Sequence, residues 1–161
     1  MRKSCYSSRR AGFTVLEIMV VVLILGIILA VAVPHFQKAT LATRQARLAN
    51  DFRQLHGAFE LFELENGYWP MDVATARLPA EMVGYLDAQV FADPSPLGGL
   101  FDYEGPEASL GIEAGLSLVG TNLDPGVMAR VDEMFDDGDL ANGRFRVGIA
   151  GGDTYTLIFE E

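Results

Sequence analysis

Cysteine is nearly absent from this 161-residue chain. The single one, Cys5, stands among the first twelve residues, so the rest of the chain can form no internal disulfide and must hold by packing even in an oxidising compartment. Histidine is scarce too, with only His35 and His56. There is no H-E-x-x-H pair, no phosphate-cradling glycine loop, and no cysteine beyond Cys5 to serve as a nucleophile. The stretch Gly115-Leu116-Ser117-Leu118-Val119-Gly120 misses the spacing of a G-x-S-x-G elbow by one residue, which leaves Ser117 as a strand residue. Paired carboxylates of the kind that hydrolyse glycosides would need a cleft, and the acids here fall in turns. Catalysis is not expected, and neither is a required cofactor.

Positive charge is the other shortage. From Gly67 onward the only basic residues are Arg77, Arg130, Arg144 and Arg146, against seventeen acids. Phosphate backbones are bound by clustered Lys and Arg, so nucleic acid is excluded as a partner. The basic residues gather instead at the other end: Arg2, Lys3, Arg9 and Arg10 lie in the first twelve residues, which contain no acid.

Half the residues are hydrophobic although the net charge is −10, so apolar and acidic residues must be segregated along the chain. The apolar part is FTVLEIMVVVLILGIILAVAV, Phe13 to Val33, with one ionisable group, Glu17. At about 1.5 Å per helical residue this run crosses a hydrocarbon core of about 30 Å. Lys and Arg beside a span stay cytoplasmic, which predicts an inward N-terminus and an outward acidic body across a bacterial inner membrane. An ordinary secretory signal, cut near Ala30-Val31-Ala32, and a twin-arginine signal at Arg9-Arg10 both fit the basic start, yet neither explains Glu17. A carboxylate in an apolar span costs up to about 3 kcal/mol near the bilayer centre, and such a group marks a partner or a function.

The segment RRAGFTVLEIMVVVLILGIILAVAVP resembles the N-terminus of type IV prepilins and of type II secretion pseudopilins. The likeness lies in a short basic leader ending at Gly12, Phe13 after it, Glu17 four residues on, an unbroken apolar run, and Pro34 closing the run. It implies that a prepilin peptidase cuts between Gly12 and Phe13 and methylates the new amine of Phe13. The mature helix would then assemble with copies of itself and with other pilins or pseudopilins, at an inner-membrane assembly platform, into a periplasmic or extracellular filament. In that setting the Glu17 carboxylate would meet the Phe13 amine of a neighbouring subunit and act as an assembly ruler. Gly26 and Pro34 bracket a stretch of weakened helix hydrogen bonding, where bending is expected. The competing expectation is a membrane-anchored or exported binding domain that uses the segment only as a signal or anchor.

Beyond Pro34 the helix continues. Leu41, Leu48, Leu55 and Phe62 recur every seven residues with Phe52 and Phe59 between them, which makes one apolar stripe. Asn66-Gly67 supplies a left-handed stop, and Gly67-Tyr68-Trp69-Pro70 is similar to the helix exit of pilin-like proteins, with Tyr68 and Trp69 expected to wedge a sheet against the helix. The expected organisation is a basic leader (1–12), a transmembrane assembly half of the helix (13–33), an amphipathic half (34–66) and an acidic α+β body (67–161). The body should hold a helical turn at Pro79 to Leu86, strands at LFDYEG, AGLSLVG, RFRVGIA and TYTLIFE, and a helix capped by Asp124 with Pro125 at its first position. The fold class is α+β, a long N-terminal helix packed on a small antiparallel sheet whose buried face carries Phe145, Val147, Ile149, Tyr155, Leu157 and Phe159. In the loop FDDGDLANGRF, Asp136, Asp137, Asp139 and Asn142 form an oxygen-rich cluster, a candidate for calcium without the spacing of an EF-hand, against a solvated turn.

Overall fold

The computed structural model describes residues 13–106, 110–122 and 124–161; the expected leader, Gly12 included, lies outside the described residues. The chain divides into two compact units, residues 1–40 and 41–161. Helix α1, Val15–Asn66, contributes to both and is unbroken at Gly26 and Pro34. In the first unit its side chains from Val15 to Val33 are exposed, Leu16 to 71% and Ile27 to 62%, as an apolar run with nothing to bury it must be. Gly67, at φ 77°, ends the helix by donating its amide to the Glu63 carbonyl at 2.7 Å, which confirms the left-handed stop.

The second unit is built on the apolar stripe. Leu48, Phe52, Leu55, Phe59 and Phe62 are buried, and Gln45 and Ala49 join them, whereas Leu41 stays partly exposed. Across from the stripe lies a four-stranded antiparallel sheet of β1 (Leu100–Glu104), β2 (Ala114–Val119), β3 (Phe145–Val147) and β4 (Tyr155–Glu160), in the order β1-β2-β4-β3. Phe59 stacks on Tyr103 with ring centroids 4.4 Å apart and planes 5° from parallel, and Phe52 meets Phe101 and Phe145 edge-on. A 3-10 turn, Ala80–Met82, and the short helix α2, Gln89–Ala92, add Met82 and Phe91 to this core. Helix α3, Pro125–Asp132, starts as its sequence requires: the Asp124 carboxylate accepts the Gly126 amide at 2.7 Å and Pro125 takes the first turn. Its Val127 carbonyl accepts a hydrogen bond from the buried Gln45 side chain at 2.9 Å, which ties α3 to α1.

Two expectations about the sheet are corrected. Strand β3 ends at Val147, because Gly148 at φ 82° turns the chain, so Val147 is 42% exposed and Ile149 lies beyond the strand instead of in the core. The sheet is also not half-solvated: β2 and β4 are buried on both faces. On the second face Ser117 and Thr156, opposite each other in register, share a buried hydrogen bond of 2.8 Å, and Thr75 donates to Asp102 at 2.7 Å. The Asp72 backbone passes so close to Gly105 that a side chain there would collide with it, and Ile112 packs on Gly115. The loops that make these contacts cover the second face. The outer side of β1 receives the Ala76 amide on the Phe101 carbonyl, and the outer side of β3 gives the Val147 amide to the Leu140 carbonyl. Trp69 wedges as expected, its indole N–H on the Glu160 carboxylate at 2.6 Å and its ring 5.7 Å from Phe159; Tyr68 stays half exposed against Phe62.

Candidate functional site

Two sites were legible in the sequence, one at the start of α1 and one in the acidic loop. At the start of α1, Phe13 is 79% exposed and the helix opens on a reciprocal cap. The Glu17 amide donates to the Thr14 hydroxyl at 3.2 Å, and the Thr14 amide donates to a Glu17 carboxylate oxygen at 3.4 Å. This is a capping box, in which T-x-x-E satisfies two of the amides that the first turn of a helix leaves without partners. The signal stood in the sequence as Thr14-Val15-Leu16-Glu17, and a reading of Glu17 as a charge awaiting a cation overlooked it. Glu17 thus has a local task within its own chain in addition to any intermolecular one.

The acidic loop between α3 and β3 is rearranged relative to the sequence expectation. Asp139 and Asn142 turn towards each other: the Asn142 amide group donates to Asp139 at 2.8 Å, and the Ala141 amide adds a second bond at 3.1 Å. These bonds hold the exposed Asp139 carboxyl below the usual carboxylate range, the Asn142 bond most strongly. Asp136 instead gathers the chain that follows, accepting the backbone amides of Arg144 and of Phe145, the latter at 3.2 Å. That approach is open only because Gly143, at φ 75°, has no Cβ to strike the Asp136 carboxylate.

The residue that sequence reasoning missed is Asp132. It closes α3 with no exposed surface, and neither of its carboxylate oxygens has a hydrogen-bond partner. Carboxylate oxygens of Asp132, Asp136 and Asp137 lie within 4.8 Å of one another. Burial, with the charges of Asp136 and Asp137 behind it, raises the Asp132 pKa to about 6; the nearby Gly138 amide pulls slightly the other way without completing a hydrogen bond of normal geometry. Nothing in the sequence distinguished this aspartate from the solvated acids around it, because its burial follows from where α3 packs.

A third cluster, Arg53, His56 and Arg144 with Phe135 and Leu157, lines a pocket of about 180 Å³. Its arginines are used internally. Arg53 donates to the Met134 carbonyl, and Arg144 donates to the Ile158 carbonyl at 3.2 Å.

Residues 7–33 match the prokaryotic N-terminal methylation motif, which contains the apolar run and Glu17. The chain is similar to pilins and pseudopilins. Over 91 residues, 56% of this chain and 63% of the relative, it is 36% identical to the type II secretion system core protein G of Klebsiella pneumoniae. It is 37% identical to the type IV major pilin protein PilA of Myxococcus xanthus over 62 residues, 38% of this chain and 28% of that one. The chain therefore spans less than two thirds of these curated relatives. The fold is similar to that of the major type IV pilin PilA1 from Clostridium difficile, with a TM-score of 0.52 and 14% identity over 77% of this chain and 98% of that one. The long apolar helix and the small antiparallel sheet agree with the α+β expectation.

Proposed function

We propose that the protein is a structural subunit of a type IV pilus-like or type II secretion pseudopilus filament, assembled through its hydrophobic helix. The observation that carries the reading is the exposed apolar run from Val15 to Val33 with its lone acid, Glu17, inside a segment that matches the N-terminal methylation motif. A soluble monomer has no use for such a surface, and an acid in an apolar span is costly in a membrane unless a partner meets it. In this reading the precursor sits in the inner membrane with its N-terminus cytoplasmic and its acidic body periplasmic. A prepilin peptidase removes the leader between Gly12 and Phe13, and the amine of Phe13 is methylated, which keeps its positive charge. The subunit then passes through an inner-membrane assembly platform into a filament with copies of itself and other pilins. A subunit of this kind works by packing and needs no active site.

The cut leaves an ammonium one helical turn from Glu17. Between neighbouring subunits this pair would neutralise both charges in an apolar surrounding, and leaving either one unpaired costs about 3 to 5 kcal/mol, enough to reject a misregistered subunit. Gly26 and Pro34 would let the helix adjust on packing.

Two experiments test this. Mass spectrometry of the mature protein should find a chain beginning at N-methylated Phe13; a start at Val33, or an intact Met1, overturns the reading in favour of an export signal or plain anchor. The second uses Glu17→Gln, which keeps the capping box, since glutamine serves there as well as glutamate, but removes the charge. Loss of filament assembly is expected, and assembly equal to wild type would show that Glu17 serves only as a helix cap.

A further inference from the structure

We propose that the pocket lined by Arg53, His56 and Arg144 is a receptor for a single carboxylate carried on a short apolar stem. This goes beyond the filament reading and stands without it, because every lining residue belongs to the second unit. The inference rests on where two guanidiniums sit and on what they lack. From Gly67 onward only four basic residues occur against seventeen acids, yet one of the four, Arg144, shares a cavity with Arg53. Like charges on one small cavity raise each other's energy, and an anion between them lowers it. Among the described residues no acid takes that place: the ion pairs join His56 to Glu60 and Arg146 to Glu161, and neither includes Arg53 or Arg144. Asp136 holds the Arg144 backbone amide, not its guanidinium.

The pocket is shaped for such a group. Arg53 commits Nη2 to the Met134 carbonyl, while Arg144 commits Nε to the Ile158 carbonyl and Nη2 to His56, so each guanidinium is held in place with further N–H groups left over. A guanidinium fork matches the two oxygens of a carboxylate, and a fork already fixed loses less freedom on binding. Phe135 and Leu157 complete the wall and suit an alkyl stem. The cavity holds about 180 Å³, below the roughly 300 to 1,000 Å³ of pockets that take a whole drug-sized molecule, so it admits one side chain or one small acid. Phosphate is the less suitable anion. Arg144 can donate only to a neutral His56, so the pocket presents two fixed cations, and its apolar wall offers the extra oxygens of a phosphate no donors. The carboxylate can arrive as a free organic acid or on an acidic side chain of a second copy of this chain. The rival occupant is Glu60 of the same chain, 3.3 Å from the His56 ring, with a side chain 60% exposed and able to turn towards the arginines.

The test is titration of the isotope-labelled full chain in detergent with sodium butyrate, read by NMR at the Arg144 Nε–H and the His56 ring, beside sodium phosphate and sodium chloride at the same pH and ionic strength. Butyrate should move both signals to saturation at a concentration at least tenfold below that needed for phosphate, and chloride should move neither. Arg53→Gln, a change at an exposed position, should weaken butyrate at least tenfold. Arg144→Lys, which keeps the charge and loses the fork, should do the same, and Glu60→Gln should tighten binding by removing the competing carboxylate. Dilution of the wild type without butyrate separates the two sources. Signals that drift with protein concentration, and stay still in Arg53→Gln, put the carboxylate on a second copy; signals that stay still in both make a free acid the ligand. The absence of a saturating shift with butyrate, an equal or tighter response to phosphate, or butyrate binding unchanged in Arg53→Gln overturns the proposal and leaves the arginines as struts for the carbonyls they hold.

Discussion

The guanidinium Nη2 of Arg144 stands 3.1 Å from Nε2 of His56, and the same imidazole nitrogen lies 3.3 Å from the Glu60 carboxylate. Arg144 can donate only to a neutral, unprotonated Nε2, whereas Glu60 favours the imidazolium. Burial tips the balance to the neutral form, Glu60 opposes it, Arg144 adds to it, and the His56 pKa is lowered. A lowered histidine is protonated more readily in the unfolded chain, so its contribution to stability is present above its unfolded value of about 6.5 and declines as the pH falls below that. Urea midpoints measured in EDTA from pH 7.5 to 5 should fall, and His56→Gln should lose that part of the slope.

Asp132 predicts the opposite slope. Its folded pKa, about 6, is raised from the 3.8 of the free side chain, so its favourable contribution is complete below 3.8 and is lost as the pH rises through 6. In EDTA at pH 7, Asp132→Asn should therefore stabilise the chain by about 2 to 3 kcal/mol, the equivalent of a two-unit shift. The gain should shrink towards zero near pH 4. Chemical denaturation at pH 7 and pH 4 checks both ends.

Phe59 joins α1 to the sheet through its stack on Tyr103 and its contacts with Phe91 and Phe159. Phe59→Ala should cost about 3 to 5 kcal/mol, since the ring is fully buried and its neighbours on a helix and a strand cannot collapse into the space. Loss of the near-ultraviolet tyrosine signal together with helix signal from residues 41–66 would show that helix and sheet unfold as one.

The cap of α3 is a smaller effect. Asp124→Ala removes the acceptor for the Gly126 amide and should cost about 1 kcal/mol. Asp124→Asn should restore most of it. A Tm series of the three proteins measures the difference.

The elements most legible in the sequence were those set by local pattern. Asp124-Pro125 announced α3, Gly67 announced the end of α1, and a seven-residue stripe announced which side of α1 is covered. Alternation in Tyr155-Thr156-Leu157-Ile158-Phe159 gave the strand but misjudged its surroundings. A strand in a half-solvated sheet would present Thr156 and Ile158 to water, whereas here loops cover the second face, and only tertiary packing decides that. The acidic loop failed for a related reason. Asp132, Asp136, Asp137 and Asp139 differ little as letters; the end of α3 buries the first, Gly143 lets the second cap a strand, and a local turn removes the last. The capping box at Thr14 and Glu17 was legible and was hidden by a more conspicuous role for the same glutamate.

The outer sides of β1 and β3 are each occupied, by the Ala76 amide on Phe101 and by the Leu140 carbonyl beneath Val147. An open strand edge is a template on which another chain can add a strand, and the risk grows with crowding. Copies of a protein concentrated in one membrane, or side by side in one fibre, meet at high local density for their whole lifetime. With both rims blunted, neighbouring bodies have little backbone left to zip together in a disordered way, so their association is left to side chains, whose complementarity can be specific and reversible.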